Sequence, residues 1–350
     1  MSYELMKKKR EKILVAMSGG VDSSVCAMLL KDHGHDVLGV YLVMNKNLDM
    51  TESVKKVAKK IGIKFMTKDV SVDFGNQVVE YFIDEYKKNR TPNPCVVCNP
   101  KLKFATLLGL ADELGIEKVA TGHYACIAHD EKDTIIKTVE DKKKDQTYFL
   151  YRLSHRQLWR IIFPLCEMSK EDVKKISQEN NLPIFEKESQ DVCFFQENES
   201  LKKFLKKHYK SQKGEIVDER GNVVGSHDGY AFFTLGQRHG LGLSGGPFYV
   251  VGKNKKRNQI VVTNDQNHKL LWSSEIKISK PSWVSNSPKP GKKYKVKTRY
   301  RVVASEGFIE KLEKNCWIAK LEKPQWAVAP GQSLVVYDGE ELIGGGFIVD

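Results

Sequence analysis

Residues Ile13 to Ser24, ILVAMSGGVDSS, constrain this chain more than any other stretch. Ile13 to Ala16 is a short apolar run of the kind that forms a buried parallel strand, and Ser18-Gly19-Gly20 ends it. A helical pattern follows at once through Val25, Met28 and Leu29. Strand, glycine turn and helix N-terminus in succession make a cradle for an anion. The glycines let backbone N–H groups approach, Ser18 and Ser23 add hydroxyls, and the helix points its positive end at the same place. The Lys-Ser/Thr pair of the common phosphate loop is missing, and Asp22 stands where a cation is expected. An acid beside phosphates implies bound Mg²⁺. The bland alternative is a glycine turn capped by Asp22 and Ser23; placement between the first strand and a helix argues against it.

Further along, strand patterns at Val37 to Leu42, Lys64 to Thr67 and Lys118 to Thr121 alternate with helical ones at Val54 to Ile61, Phe74 to Lys87 and Lys103 to Leu114. This alternation predicts an α/β doubly wound parallel sheet, whose ligands bind at the carboxyl ends of the strands. Gly122 and His123 close one such strand: the glycine either lets a base or ribose pack on backbone or makes a plain turn, and a lone His is more often structural than substrate-facing. Asn89 to Lys101, NRTPNPCVVCNPK, holds three prolines and is expected to be an extended loop. Asp130 to Asp145 is a charge-dense loop around a short strand, and helices are expected near His155 to Ile162 and over Lys170 to Asn181. Glu186 to Phe195 then brings Cys193 before two aromatics.

A length of 350 residues implies two or three domains. The character changes at Gly214, where glycine turns and β-type runs (Glu215 to Val217, Ala231 to Thr234, Tyr249 to Val251, Gln259 to Thr263) take over, so boundaries fall near 205 and 273. Trp317 to Leu321, Ser333 to Tyr337 and Leu342 to Val349 complete an all-β third module of small-barrel type. Met1 to Lys12 is charged rather than a signal peptide and no apolar run approaches the ~18 residues of a membrane span, which reads as a cytoplasmic protein without a membrane partner. Fifty-seven Lys plus Arg against 44 Asp plus Glu give a net charge of +13 and favour polyanion partners. The six lysines of Leu201 to Lys213 read as a solvated helix face. In the basic stretch Ile276 to Arg301, however, Lys293, Lys295, Lys297, Arg299 and Arg301 alternate with uncharged residues, placing five cations on one strand face where a phosphate backbone would relieve their repulsion.

Seven cysteines, an odd number in a long chain, do not form a secreted disulfide framework. Cys26, Cys126, Cys166 and Cys316 lie in apolar or strand-like contexts and read as inert thiols. Cys95 and Cys98 form a CxxC in the proline loop; a structural zinc there needs a second ligand pair, and the sequence supplies none.

SGGVDSS at Ser18, TPNPCVVCN (Thr91 to Asn99), ATGHYA (Ala120 to Ala125), KDQTYFLY (Lys144 to Tyr151), DVCFF (Asp191 to Phe195), TLGQRHGLG (Thr234 to Gly242), VKTRYR (Val296 to Arg301) and APGQS (Ala329 to Ser333) together resemble the tRNA-specific 2-thiouridylases, within the ATP pyrophosphatase superfamily. The resemblance implies an ATP pyrophosphatase domain (1–205) for adenylation and thiolation, a central β-rich domain (206–273) and a C-terminal tRNA-binding β-barrel (274–350). It implies ATP binding by Ala16, Met17, Ser18, Gly19, Gly20, Val21, Asp22, Ser23, Leu42 and Gly122. Asn93, Pro94 and Cys95 would face the target base, and His123, Lys144, Asp145, Gln146, Arg299, Tyr300 and Gln332 would touch tRNA. Cys98 and Cys193 match the catalytic pair. In the implied reaction the wobble uridine 2-oxygen is adenylated with ATP and Mg²⁺, a persulfide on Cys193 displaces AMP, and Cys98 resolves by forming a disulfide that a reductant reopens. A cysteine desulfurase or sulfur-relay protein would supply the sulfur. Cys95 replaces a residue that is often Asp in the family, so Cys95, Cys98 and Cys193 as ligands of a [4Fe-4S] cluster stand as the alternative route. Asn45 to Ser53 is also shorter than usual. The rival readings are a carboxylate-activating amidotransferase, for which no glutaminase segment is visible, and an RNA-binding module with an inactive nucleotide loop.

Overall fold

Lys12–Ala16 forms β1, the central strand of a computed structural model that describes residues 10–129, 133–183, 192–196, 199–284, 286–313 and 315–349. β1 pairs in parallel with β2 (Asp36–Val43) on one side and β4 (Lys118–Thr121) on the other. β3 (Lys64–Asp69) and β7 (Ile161–Ile162) form the edges, giving the order β3-β2-β1-β4-β7. The chain winds from β1 out to β3 and returns across β1 to β4, so the switch point lies at the carboxyl ends of β1 and β4. Ile13, Leu14 and Val15 are fully buried because both faces are covered. Ile13 and Val15 pack with Val25 of α1 (Val21–Asp32) and with Val57 and Ala58 of α2 (Thr51–Ile61). Leu14 packs on the opposite face with Phe82 of α4 (Glu80–Lys87), which a π-helical turn, Gly75–Val79, joins to α3 (Ser71–Phe74). The doubly wound parallel sheet expected from the sequence is therefore present.

Local expectations fail in three places. The helix expected over His155 to Ile162 stops as α7 (His155–Leu158), and Ile161–Ile162 instead completes the sheet as β7, where two buried β-branched residues fit a strand better. Asn89 to Lys101 is not extended throughout. Pro94 caps α5 (Cys95–Cys98), where a missing N–H is harmless, and a π-turn over Asn99–Lys103 begins with Pro100 near its own N-terminus before running into α6 (Phe104–Glu113). In the middle of the chain, the first half of the β-type run Ala231 to Thr234 lies in a 3₁₀ turn, Tyr230–Phe232. That region holds a four-stranded sheet ordered β10 (Tyr249–Asn254), β11 (Gln259–Thr263), β8 (Gly214–Val217), β9 (Val223–His227).

The C-terminal strands β12 (Trp272–Trp283), β13 (Lys293–Lys297), β14 (Ser305–Glu313), β15 (Cys316–Trp326), β16 (Ser333–Asp338) and β17 (Glu341–Ile348) form an antiparallel barrel, closed by β12 against β17. The hairpin of β5 (Cys126–His129) and β6 (Thr134–Lys137) reaches from the parallel-sheet region to this barrel through the pairing of Lys137 with Glu341. The five-cation face does not form. β13 ends at Lys297; Lys293 pairs with Glu306 of β14 and Glu322 of β15, and Lys297 lies 3.8 Å from Asp145. Carboxylates from other parts of the chain supply the counter-charge that the strand alone lacked, with Lys295 and Arg301 remaining exposed. The basic helix α9 (Leu201–His208) behaves as its solvated-face reading predicts: Lys202 and Lys206 both pair with Asp228, and Lys207 with Glu199.

Candidate active site

The nucleotide loop leaves β1 at Ala16. Met17 is buried, with its backbone N–H on the Val40 carbonyl and its sulfur against Gly39, where a Cβ would come within 2.6 Å. Gly19 has φ of +81°, the left-handed region that only glycine enters without strain, and Gly20 caps α1, which carries Val21, Asp22 and Ser23 in its first turn. Ser23 Oγ accepts from the Ser18 N–H at 3.0 Å, meets Ser18 Oγ at 3.1 Å and donates to the Gly20 carbonyl at 3.1 Å. These bonds close the loop into a concave turn with Ser18 and Ser23 facing one another. Leu42, near the carboxyl end of β2, is buried beside it in the sheet.

Gly122 follows β4 and lies against the loop itself. A Cβ there would sit 2.7 Å from Asp22 C, 2.8 Å from Ser23 N and 2.9 Å from Asp22 O. The glycine is thus required by backbone-to-backbone packing, a reason that reading the sequence as a base-contact glycine misses. Asp22 Oδ1 accepts from Tyr124 Oη at 2.8 Å and pairs with Lys170, whose ammonium also lies over the Tyr124 ring. Lys170 opens α8 (Lys170–Glu179), whose N-terminus is fixed by a reciprocal cap between Ser169 and Asp172. Both residues escaped the sequence reading because they act from 102 and 148 positions away. One carboxylate flanked by two hydroxyls fits Mg²⁺ carried in with a nucleotide, since that ion takes one or two protein carboxylates and completes its shell with phosphate oxygens and water.

The second half of the site is sulfur. Asn93 Oδ1 accepts the Cys95 N–H at 3.1 Å, and Pro94 is buried, so the turn into α5 is fixed and Cys95 occupies its first position. Cys98 is buried three residues on, and burial pushes its thiol up to about 11. Cys193 lies close enough for its charge to raise Cys98 further, whereas Lys103 opposes both effects: its ammonium lowers the Cys98 pKa and its backbone N–H donates to the sulfur. Cys193 keeps accessible surface yet is closely surrounded, and the resulting desolvation raises its thiol, again against Lys103. Lys103 also faces His123, which sits between Phe104 at 5.7 Å and Phe163 at 5.8 Å and accepts or donates at Thr121 Oγ1. Burial, then Lys103, hold His123 well below its ordinary pKa. Lys103, which the sequence reading passed over, acts electrostatically on both cysteines and on His123. Its only signal was a basic residue five positions after Cys98, a spacing that the π-turn converts into contact.

Asp191, the first residue of the DVCFF motif, falls outside the described residues, as do 130–132 of the charged loop. Among the described residues no three His, Cys, Asp or Glu side chains converge as metal ligands. Cys193 acts on the charge of Cys98, which brings the two expected catalytic thiols into one neighbourhood. Cys126 and Cys166 are not inert thiols: their sulfurs are bonded, the β5 hairpin having brought Cys126 beside the turn that follows β7.

Of the residues expected to meet tRNA, Lys144 is exposed, and Gln146 exchanges two bonds with the Tyr124 backbone at 2.9 and 3.0 Å, laying its loop over Gly122 to Tyr124. Asp145 points inward to Thr147 and Lys297, and its pKa is raised by burial. Tyr300 packs on Phe149 at 4.5 Å. Arg299 donates to the carbonyls of Leu235 at 3.1 Å and Ala327 at 2.5 Å, and Gln332 donates to the Thr91 carbonyl at 2.9 Å. Thr91 is held three ways, its N–H on Pro330 and its hydroxyl 3.1 Å from that of Thr234. The proline loop that carries the cysteines is thus clamped by both β-rich regions.

A nucleotide loop at the switch point of a five-stranded parallel sheet, followed by a small mixed sheet and a closed barrel, defines an ATP pyrophosphatase-type enzyme with two β appendages. Residues 11–197 match the family model described as tRNA methyl transferase HUP domain, 202–264 that of the tRNA methyl transferase PRC-barrel domain, and 273–348 that of the aminomethyltransferase beta-barrel domain. The chain is 40% identical to the tRNA-specific 2-thiouridylase MnmA 2 of Thermoanaerobacter sp. (96% of this chain, 97% of the relative). It is 38% identical to the tRNA-specific 2-thiouridylase MnmA of Lactobacillus helveticus (98% and 96%) and 37% to MnmA 2 of Aliarcobacter butzleri (97% and 98%). Full-length similarity of this order places the chain in the tRNA-specific 2-thiouridylase family. No described helix is long and apolar enough to cross a membrane.

Proposed function

We propose that the chain replaces the 2-oxygen of the wobble uridine of tRNA with sulfur, at the expense of ATP. The observation that carries the reading is that one short span, from β4 to β5, serves both halves of the site: Gly122 and Tyr124 pack on the nucleotide loop, while His123 between them shares Lys103 with Cys98 and Cys193. The glycine turn and the first turn of α1, with Ser18 and Ser23, bind the phosphates, and Asp22 would hold Mg²⁺, which neutralises charge on them when bound. The uridine 2-oxygen attacks the α-phosphorus, releasing pyrophosphate and leaving AMP on that oxygen. A Cys193 persulfide, charged by a desulfurase or relay protein, attacks the uridine C2 and AMP departs. Cys98 thiolate then attacks the Cys193 sulfur; the new disulfide takes the two cysteines and the base leaves with the outer sulfur. Lys103 stabilises the anionic sulfur at each step. Asn93, Pro94 and Cys95 face the base; Lys144 and the exposed Lys295 and Arg301 meet the backbone of tRNA; Gln332 acts through the clamp on Thr91, and Arg299 by tying Leu235 of the central region to Ala327 of the barrel. The three units are an adenylating and thiolating domain to about 205, a central domain to about 273 and the barrel beyond it.

Pyrophosphate release measured with and without unmodified tRNA tests the reading. Release that depends on tRNA and falls away in Asp22→Asn is expected; no release under any sulfur supply would leave an RNA-binding module with an inactive loop.

A further inference from the structure

We propose that Cys126 and Cys166 are a redox-modified pair that locks Asp22 of the nucleotide loop and thereby lowers nucleotide affinity when oxidised. The proposal rests on the reading that this loop binds ATP. Cys126 begins β5, two residues after Tyr124, and Cys166 lies four residues before Lys170. Their Cα atoms are 4.8 Å apart, within the span a disulfide bridges, and the bond joins segments 40 residues apart in sequence. Among the described residues, Tyr124 and Lys170 are the two side chains that hydrogen-bond Asp22, both on Oδ1. The covalent bond therefore ties together the two segments that hold the loop's carboxylate. Tyr124, Val139, Leu165 and Val173 belong to the same buried cluster as Val15 and Met17, so the stapled segments are continuous with the floor of the loop.

Lys170 neutralises the Asp22 carboxylate from Oδ1, so a Mg²⁺ or phosphate-bound cation that meets this carboxylate competes with the ammonium. A staple four residues from Lys170 resists the retreat of that lysine, whereas two free thiols do not. Cys166 is on the wall of a cleft of about 320 Å³ with Glu140, Asp141, Glu167, Met168, Ser169 and Asp172, which opens a route for small reagents. Oxidation transfers two electrons from the thiols to a low-molecular-weight disulfide, RSSR + 2 Cys–SH giving Cys–S–S–Cys + 2 RSH, and a dithiol reverses it. Carboxylates along the cleft repel an anionic thiol and leave a neutral dithiol unhindered. The reductant that reopens Cys98–Cys193 in the proposed cycle would then also set the nucleotide affinity of the loop.

The test uses full-length protein carrying Cys193→Ser, so that the catalytic pair cannot oxidise, and titrates it calorimetrically with Mg²⁺ and a non-hydrolysable ATP analogue. Samples are treated with hydroxyethyl disulfide or with dithiothreitol, and peptide mapping after alkylation follows the Cys126–Cys166 link. The oxidised form is expected to bind about fivefold more weakly than the reduced one, at the lower end of couplings between sites. Cys126→Ser/Cys166→Ser should match the reduced form under both treatments; should that variant not fold, the reduced parent supplies the same comparison. Equal affinities, tighter binding after oxidation, or absence of the linked peptide under oxidant would each overturn the proposal. Absence of binding in every form would overturn the nucleotide reading beneath it as well.

Discussion

Replacing Gly122 with Ala adds one carbon where the structure leaves no room. The new Cβ would stand 2.7 to 2.9 Å from three backbone atoms of Asp22 and Ser23, whereas ordinary contacts of this kind begin near 3.4 Å. Backbone on both sides means that no side chain can swing away, so the end of β4 and the first turn of α1 must part by about half an ångström. Overpacking of this kind costs about 1–3 kcal/mol. Because the displaced atoms are those that shape the phosphate cradle and carry Asp22, parting them weakens nucleotide binding as well as the fold. Affinity for a non-hydrolysable ATP analogue, measured calorimetrically, is expected to drop about tenfold, while the β-barrel and the middle sheet, which do not touch Gly122, keep their circular dichroism. An unchanged affinity in a folded Gly122→Ala protein would refute the argument that backbone approach at Gly122 fixes the loop.

Removing the shared cation by Lys103→Met should slow iodoacetamide alkylation of Cys98 and Cys193 about three- to tenfold at pH 8, with Lys103→Arg close to the parent. Because the Cys98 thiol is pushed up to about 11, its alkylation should rise about tenfold per pH unit from pH 7 to 10, without levelling where a free thiol does. Rates equal in parent and Met variant, or a plateau below pH 9, would contradict the assignment. Arg299→Ala leaves two partly buried carbonyls without a charged donor, so it should lower stability by about 1.5–3 kcal/mol and leave the salt dependence of tRNA binding unaltered; a flatter salt slope with unchanged stability would restore a direct phosphate contact. Gly331 has φ of +90° and lies against Arg90 and Thr91, so Gly331→Ala should impair sulfur transfer while sparing ATP-analogue binding, and equal loss of both would show that the clamp is not local to the cysteine loop.

What could be read from the sequence is what local chemistry dictates. The glycine loop needs only β1, Gly19, Gly20 and the start of α1, all contiguous, and the parallel sheet follows from the alternation around it. Prolines misled in Asn89 to Lys101 because Pro94 and Pro100 sit at helix starts, where the ring is tolerated, and only tertiary packing of Val96, Val97 and Cys98 reveals the turn. The basic strand looked like a phosphate track because its counter-charges, Glu306, Glu322 and Asp145, come from elsewhere in the chain. Lys170, Tyr124 and the Cys126–Cys166 bond were illegible for the same reason: each relation spans 40 residues or more, and nothing in a local pattern announces it. Lys103 was hidden by helix period, since a π-turn brings the backbone N–H five residues on back to Cys98, where an α-helix would not.

The most direct test is mass-spectrometric detection of 2-thiouridine in unmodified tRNA after anaerobic incubation of iron-stripped protein with ATP, Mg²⁺ and a persulfide donor. The account predicts product from this protein and none from Cys193→Ser, and the appearance of a Cys98–Cys193 disulfide in step with product. Product formed only after iron and sulfide are restored, with no such disulfide, would contradict it.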